Sequence, residues 1–162
     1  MTTLDKIRTF LRDNSEISVG YNEITFLAVD ELDEGQVGYS VDDNNNSLIT
    51  GQEGDWKDEW LVIGVDGLIG DPILVDTSSK KLQVFTAAHG DGEWEPISIA
   101  DTLDSFTDII LELKKISINR ATPVDLEENP ITYKEKRQFI AKVKKNNSNS
   151  NIDYWENFLE DD

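Results

Sequence analysis

Cysteine is absent from this 162-residue chain. That excludes a disulfide framework, a thiol nucleophile and a thiolate metal site. Histidine occurs once, as His89, so a zinc site built on several imidazoles is excluded too. No apolar run approaches the roughly 18 residues of a membrane span. The opening MTTLDKIRTF lacks the long apolar stretch of a secretory leader. A soluble, cytoplasmic protein is the expectation. Cations are also scarce: 15 Lys and Arg stand against 33 Asp and Glu, a formal net charge of -18. Nucleic acid and anionic membrane surfaces both demand cationic faces, so neither is an expected partner. A basic protein is, because opposite charge steers encounter.

The charge that is present is unevenly spread. From Tyr21 to Asp76 there are fourteen acidic residues and one basic residue, Lys57. From Lys134 to Lys145 there are six basic residues and one acidic residue, Glu135. The length suits one domain with an appendage: a body over residues 1–118 and a C-terminal helical extension over 119–162.

The body is organised around residues 60–106, WLVIGVDGLIGDPILVDTSSKKLQVFTAAHGDGEWEPISIADTLDSF. Apolar runs at 60–65, 72–75, 82–86 and 94–99 are each bounded by Gly, Asp, Ser or Pro, the pattern of consecutive short strands. Their links are too short for parallel crossovers, so neighbouring strands are expected to run antiparallel. Residues 3–12 predict a helix from the stripe Leu4, Ile7, Leu11 with Phe10 beside it. The pattern breaks over 13–20. Ile24 to Val29 suits a strand, residues 30–37 a short helix, and Val37 to Val41 the opening of another strand. Leu103, Phe106, Ile109, Ile110 and Leu113 predict a second long helix, started by Asp101 or Thr102 and closed by Lys114 and Lys115.

From Asn119 the texture changes. Pro123 and Pro130 punctuate a loop, and residues 132–145 predict a basic helix with a narrow Phe139, Ile140, Val143 stripe. Asn146 to Asn151 (NNSNSN) reads as a low-complexity polar linker. Ile152, Trp155, Phe158 and Leu159 share one helical face, too apolar to stand free in water. Docking on the chain's own body is favoured. Self-association through this helix is the other option.

Chemistry is thin. Asp42, Asn44, Asn46, Ile49 and Glu53 fall at positions 1, 3, 5, 8 and 12 of an EF-hand loop. Ser47 stands where that loop needs Gly, and the flanks are not helical, so a polar loop tip is preferred. Asp66, Asp71, Asp76 and Asp91 recur near strand ends, where Asp is ordinary turn chemistry. A hydrolase would need His89 as base with Asp76 or Asp91, and no GxSxG elbow accompanies Ser78 or Ser79. No catalytic constellation, cofactor site or metal site emerges. Trp60 suits the core. Trp56 is left open between core and platform.

Taken together, the motifs W-L-V-I-G-x-D-G, G-D-P-I-L-V-D, V-F-T-A-A-H-G-x-G-x-W-E-P and A-D-T-L-x-S-F resemble the SUKH superfamily. That superfamily includes the yeast regulator of cell-wall synthesis and many bacterial immunity proteins. D-E-L-D-E-G-Q-V-G-Y-S, Asp30 to Ser40, is similar to the piece preceding the sheet in one bacterial branch. The resemblance covers about residues 24–113. It implies an α+β fold, a mostly antiparallel twisted sheet with helices packed on it. It also implies a non-catalytic protein-binding role: neutralising a cognate polymorphic toxin by occlusion or, alternatively, acting as an adaptor or assembly protein in cell-wall or envelope regulation. With the acidic half of the body as the binding face, the candidate partner-binding residues are Asp33, Glu34, Tyr39, Asp42, Asp43, Trp56, Asp58, Glu59, His89 and Trp94. The expected partner is a basic toxin domain.

Overall fold

A computed structural model describes residues 1–90 and 92–160. The fold is α+β. Six strands form one sheet in sequential order: β1 Glu16–Val19, β2 Asn22–Phe26, β3 Trp60–Asp66, β4 Pro72–Asp76, β5 Val84–Thr86 and β6 Ile97–Ala100. Every neighbouring pair is antiparallel. Five helices accompany the sheet: α1 Thr3–Asp13, α2 Leu103–Ser117, α3 Pro123–Glu128, α4 Tyr133–Asn146 and α5 Ile152–Phe158. No helix among the described residues is long and apolar enough to cross a membrane.

The helices start where side chains satisfy their orphan amides. Thr2, Thr102 and Thr132 each accept the N–H three residues on, and the side chain there bonds back, closing capping boxes on α1, α2 and α4. α1 buries Ile7, Phe10 and Leu11. Its last turn is fastened to α2: Asn14 donates to the Phe10 carbonyl at 2.9 Å and accepts from Lys114 Nζ at 2.8 Å.

Two segments depart from the expectation. Residues 13–20, read as a break, contain β1, whose Ile17 and Val19 point inward. Four residues are too few for alternation to stand out. Pro123, read as loop punctuation, opens α3 with Thr122 as its cap. Proline at the first helical position removes an amide that has no helical partner anyway. The expected short helix over 30–37 is instead two 3₁₀ turns, Val29–Glu31 and Glu34–Gln36. Within the second turn Gly35 lies so close to Leu27 that a Cβ would fall 2.4 Å from a Leu27 methyl. The expected strand from Val37 to Val41 is a turn that folds back on itself, with isolated bridges from Val41 to Val37 and to Ser47.

The helical face of the sheet carries the main core. Phe10, Phe26 and Phe106 meet with ring centroids 5.0, 5.5 and 6.0 Å apart. The C-terminal helices complete this same cluster: Leu126, Phe139, Val143, Trp155, Phe158 and Leu159 are all buried in it. Trp155 is fully buried, 6.1 Å from Phe106 and 6.4 Å from Phe139, and its indole donates to the Ile99 carbonyl of β6 at 2.7 Å. Trp155 and Phe158, the residues considered for self-association, are therefore spent inside their own chain.

The NNSNSN stretch is bonded rather than loose. Asn147, 1% exposed, accepts from Asp101 N and Ser105 Oγ and donates to the Val143 carbonyl. Ser150 donates to Asp101, and Asn151 N donates to Ser98 O. Arg120 clamps the entry to α4 through a bidentate pair with Glu135 at 2.8 and 3.0 Å, which holds the Glu135 carboxyl below its usual range.

Trp155→Ala is expected to cost about 3–5 kcal/mol, since it deletes a fully enclosed indole and orphans the Ile99 carbonyl. Urea unfolding followed by circular dichroism reads this. A loss under about 1 kcal/mol would mean that α5 is not part of the core.

Candidate functional site

β3 and β4 are apolar on both faces. Ile63, Ile73 and Val75 enter the helical core, while Trp60, Val62 and Leu74 belong to a second cluster on the opposite face. The register of β3 against β4 shifts between Val62 and Gly64. Val62 and Ile63 serve opposite cores by the ordinary alternation of a strand, and the bulge leaves Ile63 as the extra residue opposite β4. Gly64 is required here, because a Cβ would fall 2.7 Å from the Thr25 carbonyl oxygen.

The second face is covered by loops. Trp56 lies over it with 1% exposure, packed edge-on to Trp60 at 5.3 Å and to Trp94 at 5.2 Å. Tyr39 stacks 5.1 Å from Trp56 and 5.8 Å from Trp94. Phe85, Ile49 and Leu27 fill the margins. Trp56 donates its indole N–H to the Trp60 carbonyl at 3.3 Å, and Trp94 N bonds Gly54 O at 2.7 Å. Three candidates, Tyr39, Trp56 and Trp94, are thus brought into contact. Trp56 is the buried support, and Tyr39 and Trp94 are half-buried with an edge to solvent.

Gln36 was missed by the sequence reading. β2 ends at Phe26, so the first half of β3 has no strand on that side. The buried Gln36 amide fills the gap, donating to Val62 O and accepting from Val62 N, each at 2.9 Å. A glutamine in a polar stretch carries no local mark of that duty.

The loops close on their own acids. Asp42 accepts from the backbone of Asn44 and Asn46 and from the Asn46 amide. These bonds, the Asn46 backbone foremost, keep its carboxyl below the ordinary range. The EF-hand-like spacing is therefore a turn closed by Asp42. No group of three or more metal-ligating side chains occurs among the described residues. Asp55 is held low in the same way by Thr50, chiefly by its hydroxyl.

Other carboxylates are uncommitted. Among the described residues, those of Asp33, Glu34, Asp43, Asp58 and Glu59 form neither an ion pair nor a hydrogen bond. Asp33 lies between the two 3₁₀ turns and Glu34 opens the second, while the other three sit on the loop ahead of β3. Across residues 21–76 the one ion pair among the described residues is Asp71 with His89, Oδ1 to Nδ1 at 2.6 Å.

His89 is exposed, and its partner is Asp71 rather than Asp76. Asp76 caps the turn at Ser78 N, at the other end of β4, while Asp91 lies outside the described residues. Ser78 and Ser79 follow that far end, so no Ser-His-Asp constellation is assembled from them. Burial, and then the negative charge of Asp71, raise the ionisation of Tyr39 above its ordinary value. The phenol therefore stays protonated, able to donate a hydrogen bond. No protein-family model, curated protein or solved structure matches the chain. The fold and this face define an α+β domain with an aromatic floor, two half-open rings and a rim of unpaired carboxylates.

Two outcomes are expected. Gln36→Leu leaves the Val62 amide and carbonyl unpaired and is expected to lower stability by about 1–3 kcal/mol in urea unfolding. In a Tyr154→Phe background, tyrosine-ring NMR is expected to find Tyr39 titrating above about 10. Asp71→Asn is expected to lower that value without normalising it, because burial is the larger cause. A titration indifferent to Asp71 would show that the carboxylate does not face the ring.

Proposed function

We propose that this chain is a non-catalytic binding protein whose acidic loop face covers a basic protein and blocks it by occlusion. Following the family resemblance, the partner is a toxin domain and the role is immunity in the cytoplasm. The observation that carries the reading is the set of carboxylates without internal partners among the described residues, Asp33, Glu34, Asp43, Asp58 and Glu59, on the same stretch between β2 and β3 that supplies Tyr39 and Trp56. Acids left unpaired within a chain of net charge -18 repel one another. A cationic partner relieves that repulsion. Half-buried aromatic rings supply the area that anchors an interface at little cost in conformational entropy.

The steering charge and the anchors have separable effects. Asp43→Asn, Asp58→Asn and Glu59→Gln combined disturb no internal bond. They are expected to slow association with the captured basic protein about tenfold at low salt and leave dissociation nearly unchanged. Trp94→Ala is expected to act mainly on dissociation. The test is capture from producing cells at low salt, identification of the basic protein, inhibition of its activity by the purified chain, and stopped-flow kinetics across a salt series. Association rates that do not fall with salt would refute the electrostatic reading.

A further inference from the structure

A groove of about 410 Å³ opens at the margin of the acidic face, between the first turn of α1 and the start of β3. Its walls include Leu4, Trp60 and Leu61, and among the described residues Asp58 is the sole charged side chain that lines it. Leu4 is 39% exposed although it belongs to the apolar side of its helix, so this wall of the groove is open to solvent. The Asp58 carboxylate has no ion pair or hydrogen bond among the described residues. Ser40 and Thr77 bring hydroxyls to the same groove. Thr77 gives its proton to the Glu59 carbonyl at 2.7 Å, which leaves its oxygen facing a ligand as an acceptor. The larger groove, between α4 and α5, mixes Lys136, Arg137 and Lys144 with Glu156 and Glu160 and has no such single sign of charge.

We infer that the groove beside Asp58 is the seat of an arginine side chain from the basic partner. The inference rests on the binding role proposed above and names its anchoring group. The chemistry selects arginine in three ways. An aliphatic stem can lie along Leu4 and Leu61 while its charged head stays near water. A planar guanidinium pairs with a carboxylate through two parallel bonds and lies flat along the small part of Trp60 left exposed. Its five N–H donors also need further acceptors, which the Ser40 and Thr77 hydroxyls provide.

The experiment uses the full chain and two probes: a short lysine–glycine peptide with one central arginine, and its twin with citrulline at that place. Citrulline keeps the shape and loses the charge. Calorimetry at low salt is expected to find the arginine peptide bound about tenfold more tightly. Asp58→Asn is expected to reduce that ratio to about two. Leu4→Lys, which puts a cation of the chain's own into the groove, is expected to do the same. Asp108→Asn, which removes one charge from the helical face, is expected to leave the ratio intact. The arginine-to-citrulline ratio persisting in Asp58→Asn would overturn the groove assignment while salt-sensitive binding of both peptides upheld the acidic face. Failure of both peptides to bind the parent chain at low salt would overturn the acidic face and the groove together. Thermal melting of each variant verifies folding, and Asp58→Asn alters a side chain with no internal partner.

Discussion

The constraint on which the rest depends is that the central hairpin is apolar on both sides. Leu74 and Val75 of β4 are adjacent and fully buried, yet they point to opposite faces. A hairpin of that kind must be covered twice. Helices cover one face with Phe106, Phe139 and Trp155, and loops cover the other with Trp56, Tyr39 and Trp94. Loops expose more of what covers a core than helices do, since they have no regular apolar stripe to turn inward. The second face therefore has rings that are half buried and carboxylates that lean out. The functional reading follows from this asymmetry.

Charge and packing are kept apart in the same way. The cations of α4 reinforce the fold locally: Lys142 reaches Glu112 at 2.9 Å, and Glu135 holds Arg120. The acids of the loop face are treated differently. Asp42, Asp55, Asp66 and Asp76 accept bonds that close turns, Asp71 engages His89, and among the described residues Asp33, Glu34, Asp43, Asp58 and Glu59 have no internal partner. An exposed charge with no partner contributes little to stability. Its effect lies at longer range, over about a Debye length, where it raises the encounter rate with a cation and does nothing for the fold itself.

Much of the architecture was legible from local pattern. Thr102 before an apolar stripe announced α2, and turn residues bounding short apolar runs announced β3 and β4. Misreadings came where one residue type has two uses. Pro123 punctuates a loop by its usual meaning and is here a helix start, and the short helix that residues 30–37 suggest is two 3₁₀ turns, with Gly35 giving space to Leu27. The polar run after α4 looked like a tether because Asn and Ser are common in tethers. Its Asn147 is 1% exposed because Asp101 and Ser105, more than forty residues earlier, supply its partners.

By itself, the sequence determined the class of the fold, the starts of α1, α2 and α4, the antiparallel order of the central strands and the acid excess of residues 21–76. Each is a property of neighbours in the chain: a cap three residues from its amide, a link too short for a crossover, a count of charges. Only the tertiary structure decided that Trp56 is a floor and Trp94 a rim, that Asp71 rather than Asp76 meets His89, that Gln36 replaces a missing strand, and that Asp58 lines a groove with no other charged side chain among the described residues. Those facts depend on which segments the two-sided burial of β3 and β4 draws together. Contacts between residues 36 and 62, or 71 and 89, leave no periodicity along the chain.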